Sequence, residues 1–175
     1  MKTLYIETGS EKSALALFDG KRWVYVPLPQ GAELSKNISL EVDKLLKASG
    51  IQPEKVCVGK GPGSLTGVRV GRALAKALAF GWKVPYVEFC SMEVFVPEEK
   101  MFAVLLDVRS GGIYVLTHMD GPELLSPEMA KEKVESIPHL FSPHPEKIKK
   151  RMGIDCKEAV CSFARLDQNA SHLVR

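Results

Sequence analysis

Apolar residues in the first 30 positions come in three short runs, at residues 4–6, 14–18 and 23–26. Turn-forming residues separate these runs, and Asp19-Gly20 closes the second one. Runs of this length between short turns predict a meander of three antiparallel strands.

The period of the pattern changes at residue 34. Leu34, Ile38, Val42 and Leu45 fall on one face of a helix, and Gly50 is suited to end that helix. A strand, a second helix and a further strand are predicted next, at residues 56–58, 68–80 and 84–87. The predicted order of the first half is therefore β-β-β-α-β-α-β.

The opening pattern of the chain returns near residue 101. A strand ending at Asp107, a glycine-rich turn and a returning strand before Asp120 repeat the layout from Glu7 to Asp19. Asp120 follows Asp107 by 13 residues, and Asp19 follows Glu7 by 12. This similarity predicts a degenerate internal duplication.

Two domains are predicted, at residues 1–98 and 99–175. In the second, strands are expected at residues 103–106 and 113–117, and helices at residues 127–136 and 146–152. The region after residue 122 is interrupted by prolines, and no chemical site is expected there.

Composition and charge are those of an ordinary globular protein. Hydrophobic residues make up 45% of the chain and charged residues 26%, with a net charge of +3. This mildly basic balance permits contact with a polyanion but does not require it. No apolar run is long enough for a signal peptide or a membrane span, so we expect a soluble, cytoplasmic protein without membrane contact.

The four cysteines are expected to be reduced and structural. Cys57 and Cys90 lie among apolar residues, and the spacing of Cys156 and Cys161 fits no common zinc site. No metal site is expected.

Residues 59–72 read GKGPGSLTGVRVGR and connect a predicted strand to a predicted helix. Such a loop can hold a phosphate with backbone N–H groups at the start of the helix. The candidate nucleotide or phosphate residues are Glu7, Gly61, Gly63, Ser64 and Thr66. The alternative is a tight turn with Ser64 or Thr66 as N-cap. The string matches neither a Walker A loop nor a dinucleotide fingerprint.

Small residues recur every fourth position along the helix after this loop, at Gly67, Gly71, Ala75 and Ala79. A stripe of small residues lets another helix approach closely. It fits internal packing and equally a contact with a partner. Arg69, Arg72 and Lys76 lie on another side of the same helix.

The glycine-rich segment closely resembles the G-P-G-S-x-T-G-x-R-x-G motif of the TsaB (YeaZ) family. Three further stretches resemble that family: the N-terminal hairpin, Val84-Pro85 followed by Ser91-Met92-Glu93, and the run from Leu106 to Arg109 with Gly112 and Tyr114. Together these similarities cover about residues 1–120.

The resemblance implies an α/β fold of the actin/Hsp70-like (ribonuclease H-like) type, with two subdomains and a shortened C-terminal one. It also implies a non-catalytic scaffold that pairs with the enzyme TsaD and the ATPase TsaE. This complex installs threonylcarbamoyl on the adenosine next to the tRNA anticodon, so that tRNA is contacted indirectly. No cofactor is expected, apart from ATP or ADP at a partner interface.

The family's two N-terminal helices bind TsaD, or a second copy in a homodimer. Carried over by resemblance, the partner-binding residues are Ile38, Val42, Leu45, Gly67, Arg69, Gly71, Arg72, Ala75, Lys76 and Ala79. The chain departs from the family at Glu7, where Asp is usual, at Leu65, where Phe is usual, and in lacking a His-Ser pair near the first helix.

Two other functions remain open. A small kinase or NTPase would use Glu7, Asp107 and the glycine loop. Direct tRNA binding would use the basic run Lys147, Lys149, Lys150 and Arg151. Against catalysis, no two of the four histidines, His118, His139, His144 and His172, have ligand-like spacing, and no catalytic residue is assigned.

Overall fold

The computed structural model of the chain describes residues 1–108, 111–164 and 166. The chain forms two compact units, Met1–Ser91 together with Leu166, and Met92–Arg165. The boundary at residue 98 stays a prediction. Arg109 of the family resemblance and His172 lie outside the described residues.

The first unit is built on a five-stranded sheet of order β3-β2-β1-β4-β5. Its strands are β1 Thr3–Glu7, β2 Ala14–Phe18, β3 Trp23–Pro27, β4 Lys55–Gly59 and β5 Tyr86–Phe89. β2 is antiparallel to β1 and β3, while β4 is parallel to β1 and β5. The predicted meander and the predicted order of elements are confirmed.

Two helices of 18 residues each, α1 Ala32–Ser49 and α2 Leu65–Trp82, belong to this unit. α1 ends at Gly50, whose φ of 66° is in the left-handed region that glycine adopts without strain. α2 begins three residues earlier than predicted, because the Ser64 hydroxyl accepts a hydrogen bond from the Gly67 N–H at 3.3 Å and caps the helix.

Alternation along the strands places the core of the first unit between the sheet and these helices. Leu4 and Ile6 of β1 and Val56 and Val58 of β4 are fully buried, as a strand that faces a helix layer requires. The helices contribute the buried residues Leu34, Ile38, Val42, Leu45, Ala75 and Ala79.

The second unit repeats this topology with a sheet of order β10-β9-β6-β7-β8. Its elements are β6 Phe102–Asp107, β7 Ile113–Thr117, β8 Glu123–Leu125, α3 Pro127–Val134, β9 His139–Ser142, α4 Pro145–Met152 and β10 Lys157–Glu158. Three antiparallel strands are again followed by two parallel ones. The predicted internal duplication is therefore confirmed, and β6 corresponds to β1.

The two units differ in the length of their helices. α3 and α4 have eight residues each, against 18 in α1 and α2. α3 begins where predicted, with Ser126 as its cap, and ends at Val134. No helix in the described part of the chain has the length and apolar character needed to cross a bilayer.

Candidate functional site

Glu7, at the end of β1, lies at the centre of the region that carries the glycine-rich string. Its side chain is fully buried and accepts a hydrogen bond from the Gly9 N–H. Burial raises the pKa of Glu7 to about 7, against the opposing effect of the Ser91 hydroxyl and the backbone N–H groups nearby. The protonated form of Glu7 therefore persists to a higher pH than that of an exposed carboxyl group.

The start of α2 packs directly on the turn that follows β1. A Cβ atom at Gly63 would overlap the carbonyl of Gly9, and one at Gly67 or Gly71 would overlap Thr8. Glycine at these three positions is what allows the helix and the turn to meet. At Gly67 and Gly71 the small-residue stripe therefore serves internal packing, which is one of the two interpretations of the pattern.

Two backbone donors of the candidate phosphate residues are used within the chain. The Ser64 N–H donates to the carbonyl of Gly9 at 2.6 Å, and the Gly61 N–H donates to the Ser91 hydroxyl at 3.0 Å. The structure brings Glu7, Gly61, Gly63 and Ser64 together around one turn, with Thr66 exposed beside them. This bonding pattern favours the capped turn over the phosphate loop.

Seven of the ten predicted partner-binding residues lie inside the first unit and not on its surface. Ile38, Val42 and Leu45 of α1 are at most 5% exposed. The others, on α2, are Gly67, Gly71, Ala75 and Ala79. A partner contact of these residues stays a prediction, and in this chain they are packed against its own core or the Thr8 turn.

Arg72 and Lys76 are also engaged on the surface of the first unit. The guanidinium of Arg72 binds the Glu88 carboxylate at 2.7 Å, and the Tyr86 hydroxyl donates to the same carboxylate. The Lys76 ammonium lies 5.7 Å from the centre of the Tyr86 ring. Arg69 is exposed.

The outer face of α2 carries apolar side chains that the sequence analysis did not assign. Phe80 is 88% exposed and Leu65 is 65% exposed. Ala73 and Ala77 are exposed between them. A helix with a single buried face carries polar residues on the opposite face. Phe80 lies opposite the small-residue stripe, and a large apolar residue at that place was the signal in the sequence for this surface.

In the second unit, the acidic residue at the end of the first strand is paired. Asp107 of β6 forms an ion pair with Arg151 of α4, and Arg151 also donates to the carbonyl of Gly111. Arg151 is the seventh residue of α4, as Gly71 is the seventh of α2. The two units thus join the same helix to the same turn, one by close approach and one by an ion pair.

The remaining candidate ligands are scattered. Over residues 1–108, 111–164 and 166, no three His, Cys, Asp or Glu side chains are grouped to hold a metal ion. All four cysteines are described and no disulfide joins them. Burial raises the pKa of Cys156 to about 11, so that its thiol is protonated at neutral pH.

Comparisons of the chain with known proteins agree on one family. A family model described as TsaD, tRNA N6-adenosine threonylcarbamoyltransferase, matches residues 25–169. Two curated relatives carry the name tRNA threonylcarbamoyladenosine biosynthesis protein TsaB. The Bacillus subtilis protein is 33% identical over 68% of this chain and 62% of its own length. The Escherichia coli protein is 35% identical over 78% of this chain and 68% of its own length.

The chain spans less of another relative. It covers 39% of the Haemophilus influenzae protein of the same name, at 34% identity over 51% of the chain. The chain thus spans less than two thirds of the length of the Bacillus subtilis and Haemophilus influenzae proteins, 62% and 39%.

Two solved structures share the fold. YeaZ from Pseudomonas aeruginosa has a TM-score of 0.71 at 18% identity, over 91% of this chain and 84% of that one. A Pseudomonas aeruginosa protein described as similar to peptidase YeaZ has a TM-score of 0.70 at 19% identity, over 93% and 84%. With the duplicated topology, these matches confirm the predicted actin/Hsp70-like (ribonuclease H-like) α/β class. Taken with the family model and the relatives above 30% identity, they show that the chain belongs to the TsaB (YeaZ) family.

Proposed function

We propose that this chain is a non-catalytic component of tRNA threonylcarbamoyladenosine biosynthesis that binds and supports a TsaD enzyme through the outer face of α2. The observation that carries the proposal is the apolar character of that face. Phe80 and Leu65 are 88% and 65% exposed on a single helix. The names of the curated relatives support the pathway.

An exposed apolar face on a helix favours a protein contact, because burying it against a partner removes apolar surface from water. The surface comprises Leu65, Ala73, Ala77 and Phe80, with Arg69 at its side. We call it the α2 outer face. Leu40 of the adjoining helix α1 is also exposed, at 49%. We propose that the same face forms a homodimer when the chain is alone, and that TsaE joins the complex with TsaD.

The absence of catalysis is supported by the state of the two acidic residues that a nucleotide enzyme of this fold would use. Asp107 is paired with Arg151. Glu7 is fully buried, and this burial raises its pKa well above the usual value of a carboxyl group. Asp107 is held by Arg151 and Glu7 is enclosed in the first unit, so neither is well placed to bind a magnesium nucleotide. A nucleotide at an interface with a partner stays compatible with this proposal.

Direct tRNA binding has less support than indirect contact through the complex. In the basic run of α4, Lys149 pairs with Asp155 at 2.7 Å and Arg151 pairs with Asp107. These ion pairs leave less positive charge for phosphate groups than the sequence suggests.

The proposal is tested by measuring complex formation with TsaD from the same organism. Size-exclusion chromatography with light scattering would be run on the wild type, on Phe80→Asp and on Met119→Asp. Met119 is 81% exposed in the second unit and is the matched control.

We expect the wild type and Met119→Asp to form a complex of defined mass with TsaD, and Phe80→Asp to bind at least tenfold more weakly. Circular dichroism of all three proteins checks that they are folded. Equal binding of Phe80→Asp would remove the α2 outer face from the proposal. A wild type that does not bind TsaD at all would overturn the proposed function.

A further inference from the structure

A groove in the second unit has an apolar floor and an acidic rim. Its volume is about 440 Å³. The floor consists of Val134, Ile137, Leu140 and Ile154, which also pack on the core of this unit. The space is large enough for one or two bulky apolar side chains and lies within the range of about 300–1,000 Å³ typical of binding pockets.

The rim of the groove is a line of carboxylates along α3 and the residue that follows it. Glu128, Glu132 and Glu135 line the groove and are exposed, with Lys131 as the one cation among the lining residues. Lys133, the next lysine of this helix, is bound instead to Glu123 at 2.6 Å and to Asp120 at 3.4 Å. Three carboxylates against one ammonium leave the rim negative.

The three carboxylates are spaced to meet an elongated ligand. They stand at positions i, i+4 and i+7, on one side of the helical path, and extend over about 10 Å at 1.5 Å per residue. The Ser126 hydroxyl and the backbone N–H of Glu128 lower the pKa of Glu128, which keeps the first of them ionised. A small cation would use only one end of this line, whereas a peptide segment can follow all of it.

We propose that this groove docks a basic, amphipathic segment of a partner protein, with bulky apolar side chains on the floor and Lys or Arg side chains along the line from Glu128 to Glu135. Helix-in-groove recognition of this kind combines apolar anchors with charges at the rim. The groove uses no residue of the α2 outer face, so this proposal goes beyond the proposed function and does not depend on it.

The experiment uses a fluorescein-labelled synthetic peptide and the full chain. The peptide is a helical 14-mer with Leu on one face and Lys at positions i, i+4 and i+7. Fluorescence anisotropy would compare the wild type with Glu128→Gln/Glu132→Gln/Glu135→Gln. The control, Glu33→Gln/Glu41→Gln/Asp43→Asn, removes the same charge from α1 in the first unit. A second peptide with Ser in place of Leu tests the floor.

We expect saturable binding by the wild type, weakened at least tenfold in the groove variant and less than twofold in the α1 control. The Ser peptide should bind at least tenfold more weakly than the Leu peptide. Equal loss in both variants, or equal binding of both peptides, would show attraction to negative charge alone and overturn the proposal. The proposal would also be overturned if the groove binds a second copy of this chain. Light scattering of Phe80→Asp would then show self-association that the groove substitutions abolish.

Discussion

Glu7 links the stability of the first unit to pH. Its pKa rises from 4.5 in the unfolded chain to about 7 in the folded one, because the carboxyl is fully buried. Between these values the folded state binds more protons than the unfolded state, so the free energy of unfolding falls as pH rises. The contribution is fully present below about pH 4.5 and is lost above about pH 7, with a size of about 3 kcal/mol.

Urea denaturation at pH 5 and pH 8 measures this effect. We expect Glu7→Gln to reduce the difference in the free energy of unfolding between the two pH values by a few kcal/mol. The exposed Glu98 provides the control variant, Glu98→Gln. An unchanged pH dependence in Glu7→Gln would assign the titration to another group.

Two glycines of α2 should respond oppositely to the same substitution. A Cβ at Gly71 would overlap the side chain of Thr8, whereas a Cβ at Gly81 meets no atom within 4 Å. We expect Gly71→Ala to lower the free energy of unfolding by about 1–3 kcal/mol, through overpacking. Gly81→Ala should raise it by about 0.5–1 kcal/mol, because alanine is the better helix former. Thermal denaturation of both variants decides, and stabilisation by both would contradict the close packing on Thr8.

At the scale of elements, the ion pair between Asp107 and Arg151 joins β6 to α4. The two side chains are 22% and 27% exposed, so that removing the guanidinium leaves a largely buried carboxylate without its cation. We expect Arg151→Met to destabilise the chain by about 1–3 kcal/mol. Adding Asp107→Asn should restore part of the loss. A double-mutant cycle in urea measures the coupling, and strictly additive effects would mean that the pair contributes nothing.

The elements that the sequence predicted are those with several apolar residues in a regular period. β1, β2, α1 and α2 fall in this class. The strands that were missed, β8, β9 and β10, have three, four and two residues, which is too short for a period of two to be recognised between prolines. The duplication supplied the missing information in principle, since each of the three has a counterpart in the first unit.

The role of the small-residue stripe was harder to predict than the fold, for a physical reason. Small residues at every fourth position allow close approach either by another part of the same chain or by a partner. The pattern of Gly67, Gly71, Ala75 and Ala79 does not indicate which of the two it is. The structure shows that the stripe faces inward. Phe80 carried the opposite signal, because a large apolar side chain away from the buried stripe has no internal partner to pack on.

For the whole molecule, both halves have an acidic residue at the end of their first strand. Asp107 is paired with Arg151, and Glu7 is fully buried. We therefore expect isothermal titration calorimetry of the chain with Mg-ATP to show no saturable binding below millimolar concentration. Inorganic phosphate in place of Mg-ATP controls for weak anion binding. Stoichiometric, magnesium-dependent binding would instead favour the kinase or NTPase hypothesis.

The equivalence of Gly71 and Arg151 has a consequence for how the two halves have changed since they separated. A side chain at Gly71 would overlap Thr8, whereas Arg151 can form its ion pair only if Asp107 is kept. Close approach thus requires glycine at one position and leaves a sequence signature. The ion pair instead leaves two positions whose residues must change together. A signature built on the glycine string therefore describes only the first half, whereas the second half is better traced by covariation between the positions of Asp107 and Arg151.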